Sequence, residues 1–280
     1  MKFATFKAAG RLSWGIVDGG DVFDIGQALS IPTLRAALAD SAFAERVAAA
    51  KAKASRHALS SVTLEPVIPD PDKILCVGLN YETHRKETGR SEVGYPTIFT
   101  RFADTQVGAG APVVRPSVST DFDFEGELAL IIGKPGRRIA RKDAFAHIAG
   151  FACYNDVSVR DWQRHAHQFT PGKNFPATGP FGPWMVTPDE IGPLDDLRII
   201  TRLNGDTVQE AKFRDMIFDV PCIIEYCSGF TRLNPGDVIA TGTPGGVGAR
   251  RTPPLWMKPG DVVEVEIDRI GILKNPIVAE

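Results

Sequence analysis

The chain has 280 residues, 32 Lys+Arg against 34 Asp+Glu for a net charge of −2, 43% hydrophobic and 24% charged residues. That is the profile of a globular chain long enough to bury a sizeable core without staples. The even charge balance excludes the basic excess of a nucleic-acid partner, and no apolar run approaches the roughly 20 residues that span a bilayer. The opening MKFATFKAAGRLSWG has no apolar stretch of the kind a signal peptide needs. The four cysteines, Cys76, Cys153, Cys222 and Cys227, lack metal-type CxxC spacing. Three of them sit in apolar contexts and are expected to be reduced core residues, and a cytoplasmic address is expected.

Residues 1–70 read as a small N-terminal α/β unit. Segments 3–6 and 12–17 suit short strands, and Asp18-Gly19-Gly20-Asp21 is a hairpin signal. Ser30-Ile31-Pro32 opens an Ala-rich helical region over 34–54, with a break near Asp40-Ser41. Segment 64–68 is extended. Pro69-Asp70-Pro71-Asp72 is the clearest linker, because proline disfavours helix before it and cannot continue a ladder.

Residues 73–280 read as short strands separated by Gly/Pro turns, so the fold class is β-rich α+β. The expected strands are 74–77, 97–102, 124–132, 148–155, 184–187, 198–203, 238–241 and 262–267. Expected helices are 144–147, 159–166 and 217–228. Asn204-Gly205 marks a hairpin turn. The long connections 84–96, 165–183 and 242–259 have the length of functional loops.

Chemistry concentrates at a few places. His84 and Glu87 stand three apart, so on a helix the carboxylate could orient the ring. A solvated loop with an incidental histidine fits the same spacing. Residues 121–130 read DFDFEGELAL; in a strand Asp121, Asp123, Glu125 and Glu127 share one face, with Glu125 and Glu127 nearest the apolar run. An exposed polar face is the plain alternative, but Asp156 ends a second apolar strand, where an acid has no packing purpose. Three carboxylates suit a hard cation, Mg²⁺ or Mn²⁺, with Ca²⁺ a third candidate. Asp156 would also cap a following helix, on which Arg160 and Gln163 fall along the same face. Thr241-Gly242-Thr243-Pro244-Gly245-Gly246-Val247-Gly248 lacks the Lys-Ser/Thr ending of a phosphate loop. It reads as a tight turn or as a nest of N–H groups that, with the Thr243 hydroxyl, receives a carboxylate.

Taken in order, GLNYETHRKE, FEGELALIIGK, NDVSVRDWQ, GKNF and TGTPGGVG resemble the fumarylacetoacetate hydrolase family over about 73–280. The resemblance implies a mixed β-roll that dimerises with a second copy and carries a short N-terminal domain. It implies that Glu125, Glu127 and Asp156 are the metal ligands, three in all, since residues 78–83 offer no further Asp. It implies a His84–Glu87 dyad on a lid hinged at Gly89 and Gly94, and Lys173 and Gln163 as stabilisers of an oxyanion. Tyr81, Arg160 and Thr243 would contact substrate, with Phe169, Phe175 and Trp162 as candidates for an acyl pocket. The reaction implied is hydrolysis of a carbon–carbon bond in a β-diketo acid, an acylpyruvate or a 2,4-diketo sugar acid. Oxaloacetate-type decarboxylation, or isomerisation of a 2-oxo-diene-dioate, would use the same site without a hydrolytic water. A non-catalytic binding module would be expected to lack a ligand or the base.

Overall fold

A computed structural model describes residues 1–89, 91 and 94–280. Part of the long connection 84–96, between the expected hinges Gly89 and Gly94, therefore lies outside the described residues.

The N-terminal segment forms strands β1 (Lys2–Ala8), β2 (Arg11–Asp18), β3 (Asp21–Asp24), β4 (Arg56–Ala58) and β5 (Thr63–Leu64), with helices α1 (Ile25–Leu29), α2 (Leu34–Leu38) and α3 (Phe43–Lys51). The remainder forms β6 (Ile74–Gly78), α4 (Glu82–Glu87), β7 (Thr97–Arg101), β8 (Gln106–Val107), β9 (Val113–Arg115), β10 (Phe122–Asp123), β11 (Gly126–Ile132), β12 (Ile148–Asn155) and β13 (Ser158–Val159). Then come α5 (Arg160–Gln163), α6 (Thr170–Lys173), β14 (Gly179–Val186), α7 (Pro188–Ile191), β15 (Arg198–Leu203), β16 (Asp206–Lys212), α8 (Val220–Phe230), β17 (Val238–Ala240), β18 (Val262–Ile267) and β19 (Gly271–Ala279).

One mixed sheet runs β4-β3-β2-β1-β14-β12-β11-β17-β6-β7, and a second runs β16-β15-β18-β19-β9. The large sheet is continuous through the first 70 residues, because β1 pairs antiparallel with β14 at Lys2↔Val186 and Phe3↔Met185. Strand β11 is buried along its whole length. Its alternating side chains explain why. Leu128, Leu130 and Ile132 pack toward the second sheet and α8, while Ala129 and Ile131 pack toward Phe3, Trp14 and Leu34. A strand covered on both faces reads as a continuous apolar run, which is the pattern of its sequence.

The register sets the site. In the antiparallel pair β11·β12, Gly126 faces Asn155, so Glu125 and Asp156 emerge side by side at one edge. Strand β17 pairs with β11 at Ala129↔Ala240 and runs parallel to β6. The ends of β6, β12 and β17 and the start of β11 therefore meet at that same edge.

Several sequence expectations shift. The strand expected over 124–132 shortens to β11, and Phe122–Asp123 form the separate β10, so Asp121, Asp123, Glu125 and Glu127 do not lie on one continuous strand. The helix expected over 159–166 shortens to α5, capped at Val159, so Asp156 is a strand-end residue and not a helix cap. Residues 144–147 lie in a 3-10 turn. The strand expected over 184–187 is the longer β14, whose Gly and Pro content masked it. Strands β4, β8 and β9 have two or three residues and carry no readable period. No helix among the described residues is long and apolar enough to cross a membrane.

Phe3 is fully buried, with its ring 5.3 Å from Phe43 and 6.3 Å from Trp14. Phe3→Ala is expected to lower the unfolding free energy by about 3–5 kcal/mol in urea denaturation. A loss below about 1 kcal/mol would mean that the β1–β14 seam is not a continuous core.

Candidate metal centre and active site

Glu125, Glu127 and Asp156 are all buried, and each offers an oxygen within 4.8 Å of the others. Their supports come from neighbouring strands. Asp156 directly follows β12, and its N–H donates to the Glu125 carbonyl at 2.8 Å. Glu127 Oε2 accepts from the Gly242 N–H at 2.8 Å. Gly242 has φ +101, and a Cβ there would lie 2.7 Å from Asn80 Cβ, so this donor position requires glycine.

Three buried cations surround the acids. Arg101, at the end of β7, donates to Asp156 Oδ1 at 2.7 Å and also to Val157 O and Thr178 Oγ1. Arg160 reaches Asp123 Oδ2 at 2.8 Å and Glu125 Oε1 at 2.6 Å. Lys173 bridges Glu125 Oε2 at 2.7 Å and Asp156 Oδ2 at 2.6 Å. Its Nζ also sits 5.1 Å from the Phe99 ring centroid.

The pKa directions follow. Burial disfavours a charged Lys173, but Asp156 and Glu125 outweigh it and raise the ammonium's pKa. Burial likewise opposes ionisation of Glu125, yet Arg160 and Lys173 bring it down to about 2. Glu127 goes the other way. Burial, then Asp156 and Glu125, push its carboxyl well above the usual range. Among the described residues Glu127 has no cationic hydrogen-bond or ion-pair partner. A buried carboxylate in that position is tolerable as the neutral acid or beside a cation. The donor set is three hard oxygens with one acid uncompensated, and it fits Mg²⁺ or Mn²⁺.

A cavity of about 260 Å³ opens over this cluster. Glu125, Glu127, Arg160, Gln163, Lys173, Thr243 and His84 line it. His84 is buried on α4, and its Nδ1 lies 2.7 Å from Glu87 Oε1. The other Glu87 oxygen accepts from the Gly246 N–H at 2.9 Å, which ties the dyad to the glycine loop. Gln163 Oε1 accepts from Arg160 at 3.0 Å, leaving the amide NH₂ uncommitted. Asp156 does not itself line the cavity, whereas Lys173, bonded to it, does.

Two side chains that the sequence reading did not single out, Arg101 and Gln209, prove central, and Asp123 takes a role other than the shared acidic face expected of it. Arg101 carries the signal that singled out Asp156, a charge at the end of an apolar strand. Asp123 is not a cluster ligand but a brace, accepting from the Gly248 and Ala249 N–H groups and from Arg160. Gln209 on β16 accepts from the Gly126 N–H at 3.1 Å and donates to Pro244 O, which fixes its amide orientation. Its NH₂ therefore donates to Thr243 Oγ1 at 2.8 Å, and the Thr243 proton remains available to another acceptor. No local pattern betrays Gln209, because its contacts lie at least 34 residues away.

Other expectations are corrected. Tyr81 does not line the cavity. It is fully buried at a bridge to Met216, and burial raises its hydroxyl pKa. Trp162 packs against Phe175 at 5.2 Å in a separate cluster, and of the proposed acyl-pocket aromatics Phe169 alone lines the cavity. His167, exposed on the loop after α5, also lines it.

Known proteins resemble this chain in sequence and fold. Residues 73–278 match the family described as fumarylacetoacetate (FAA) hydrolase C-terminal. The mitochondrial oxaloacetate tautomerase fahd2 of Xenopus laevis is 39% identical over 274 residues, 96% of this chain and 86% of that one. A fumarylacetoacetate hydrolase from psychrophilic Exiguobacterium antarcticum superposes with a TM-score of 0.87 at 34% identity, covering 100% of both chains. The maleylpyruvate hydrolase of Sphingobium sp. SYK-6, solved with manganese(II) and pyruvate, superposes with a TM-score of 0.84 at 30% identity, covering 100% of this chain and 99% of that one. The chain belongs to the fumarylacetoacetate hydrolase family, a family of enzymes.

Proposed function

We propose that this enzyme interconverts the keto and enol forms of a small 2-oxo dicarboxylic acid of the oxaloacetate type, with a divalent cation held by Glu125, Glu127 and Asp156. The observation that carries the reading is the His84–Glu87 dyad on the wall of the cavity that Glu125 and Glu127 also line. The likeness to an oxaloacetate tautomerase supports the substrate class. The cavity volume, about 260 Å³, lies below the roughly 300–1,000 Å³ of drug-sized sites and suits a ligand of a few carbons.

The cation, when bound, supplies Lewis-acid polarisation of the oxo group next to the carboxylate. The chain's own groups move the proton. Glu87 accepts from the Nδ1–H of His84, which leaves Nε2 as the base. Nε2 takes a proton from C3, the C–H electron pair forms the C2–C3 double bond, and the proton returns to the enol oxygen. Lys173, kept charged by Asp156 and Glu125, and the Gln163 NH₂ stabilise negative charge as it develops on that oxygen. Thr243 donates its uncommitted proton to a substrate carboxylate. Arg160 acts through Glu125 and Gln163, which it holds in place.

A second reading is hydrolysis of a carbon–carbon bond in a β-diketo acid. There His84 would take its proton from water. The likeness to a maleylpyruvate hydrolase with manganese and pyruvate supports it. A metal-dependence assay with oxaloacetate and acylpyruvates, following enol absorbance and free pyruvate, separates the two. The proposal also retains residues 1–70 as a small N-terminal domain on a catalytic unit of 73–280, a homodimer and a cytoplasmic address.

His84→Ala is expected to lower kcat by about 10²–10⁴-fold while Mn²⁺ binding, measured by calorimetry, stays within about twofold. Full activity in that variant would remove the histidine from the reaction. Glu127 must lose a proton before it can ligate, and its pKa is raised. Mn²⁺ affinity should therefore climb with pH, by up to about tenfold per unit, until Glu127 is ionised in the free protein. A flat profile across the pH range in which the protein is folded would contradict a protonated Glu127.

A further inference from the structure

The guanidinium groups around the cavity divide into two kinds. Arg101 and Arg160 are buried and paired with Asp156, Asp123 and Glu125. Arg251 is bound to the Gly246 and Val208 carbonyls. Arg164 and Arg250 also line the cavity, but their guanidiniums have no acidic or carbonyl partner among the described residues. Both are exposed, so they stand at the mouth rather than the floor. They arrive from separate segments. Arg164 follows α5, whose Gln163 lines the same cavity, and Arg250 ends the turn after the glycine loop.

We infer that Arg164 and Arg250 form a carboxylate-reading rim, and that the pair sets specificity for a 2-oxo acid with a second carboxylate at its distal end. The inference rests on the proposed oxo-acid reading and names the residues that select its distal carboxylate. Charge placement is the argument. The floor of the cavity holds the carboxylate cluster, so the 2-oxo acid end of a substrate is directed there by a cation. The remaining end of a four-carbon acid projects toward the mouth. A carboxylate there meets two planar forks that match it in charge and geometry. A methyl group there meets two guanidiniums it cannot satisfy, and it leaves them in water. Discrimination therefore comes from binding at the distal end, away from the groups that move the proton.

The test compares two ligands that differ only at that end. Oxaloacetate and 2-oxobutyrate share the 2-oxo acid group and four carbons, and 2-oxobutyrate carries a methyl where oxaloacetate carries its second carboxylate. Both are titrated into Mn²⁺-loaded protein and followed by thermal shift, for the wild type, Arg164→Gln, Arg250→Gln and the double variant. Two solvent-facing substitutions leave the core untouched, and the melting temperature without ligand confirms it. The wild type is expected to bind oxaloacetate about tenfold or more tighter than 2-oxobutyrate. In the double variant that ratio falls to within about twofold, while 2-oxobutyrate affinity moves less than about twofold. With oxaloacetate as substrate, KM rises and kcat holds. An unchanged ratio in the double variant overturns the rim. So does an equal loss for both ligands, which would place the arginines at the 2-oxo acid end. If Mn²⁺ stabilises the wild type and neither acid does, the oxo-acid reading fails and the rim fails with it.

Discussion

Four buried carboxylates, Asp123, Glu125, Glu127 and Asp156, share the edge of the central sheet with three buried cations, Arg101, Arg160 and Lys173. Placing so many charges out of water is unfavourable unless each is paired. Each of Asp123, Glu125 and Asp156 is paired with at least one cation, whereas Glu127 has the Gly242 N–H alone among the described residues. The same imbalance raises the Glu127 pKa and marks the place a divalent cation would neutralise. It also explains why Lys173 is buried and charged, since it bridges two carboxylates that would otherwise repel.

The backbone enforces that geometry before any side chain does. Antiparallel pairing of β11 with β12 sets Glu125 beside Asp156, and the parallel run of β17 with β6 brings the glycine loop and α4 to the same edge. Gly126 has no room for a side chain, because a Cβ would lie 2.1 Å from Thr201 Oγ1. Gln209 and Asp123 then brace the start of β11 and the glycine loop from opposite ends. The dyad is tethered to the glycine loop through Glu87 to Gly246 and Thr83 to Gly245.

What could be read from the sequence follows from how local each signal is. The apolar run of β11, the period of β15 and β18 and the hairpin at Asn204-Gly205 are written in adjacent residues, and their strands lie where expected. The carboxylates Glu125, Glu127 and Asp156 were visible because acids interrupt apolar strands. Arg101 carries the same signal at the end of β7. Tyr81 is buried rather than substrate-facing, because whether an aromatic ring faces a cavity or a core depends on a bridge to Met216 far along the chain. Gln209 and Asp123 act through contacts that no window of sequence contains. Short strands such as β8 and β9 exist only because a longer partner pairs with them.

The central claim is that the uncompensated acid at this edge binds a divalent cation. Crystals grown with Mn²⁺ and measured near the manganese absorption edge test it most directly. The account predicts one strong anomalous peak within coordination distance of Glu125, Glu127 and Asp156. A manganese peak elsewhere with none at the three carboxylates would contradict it.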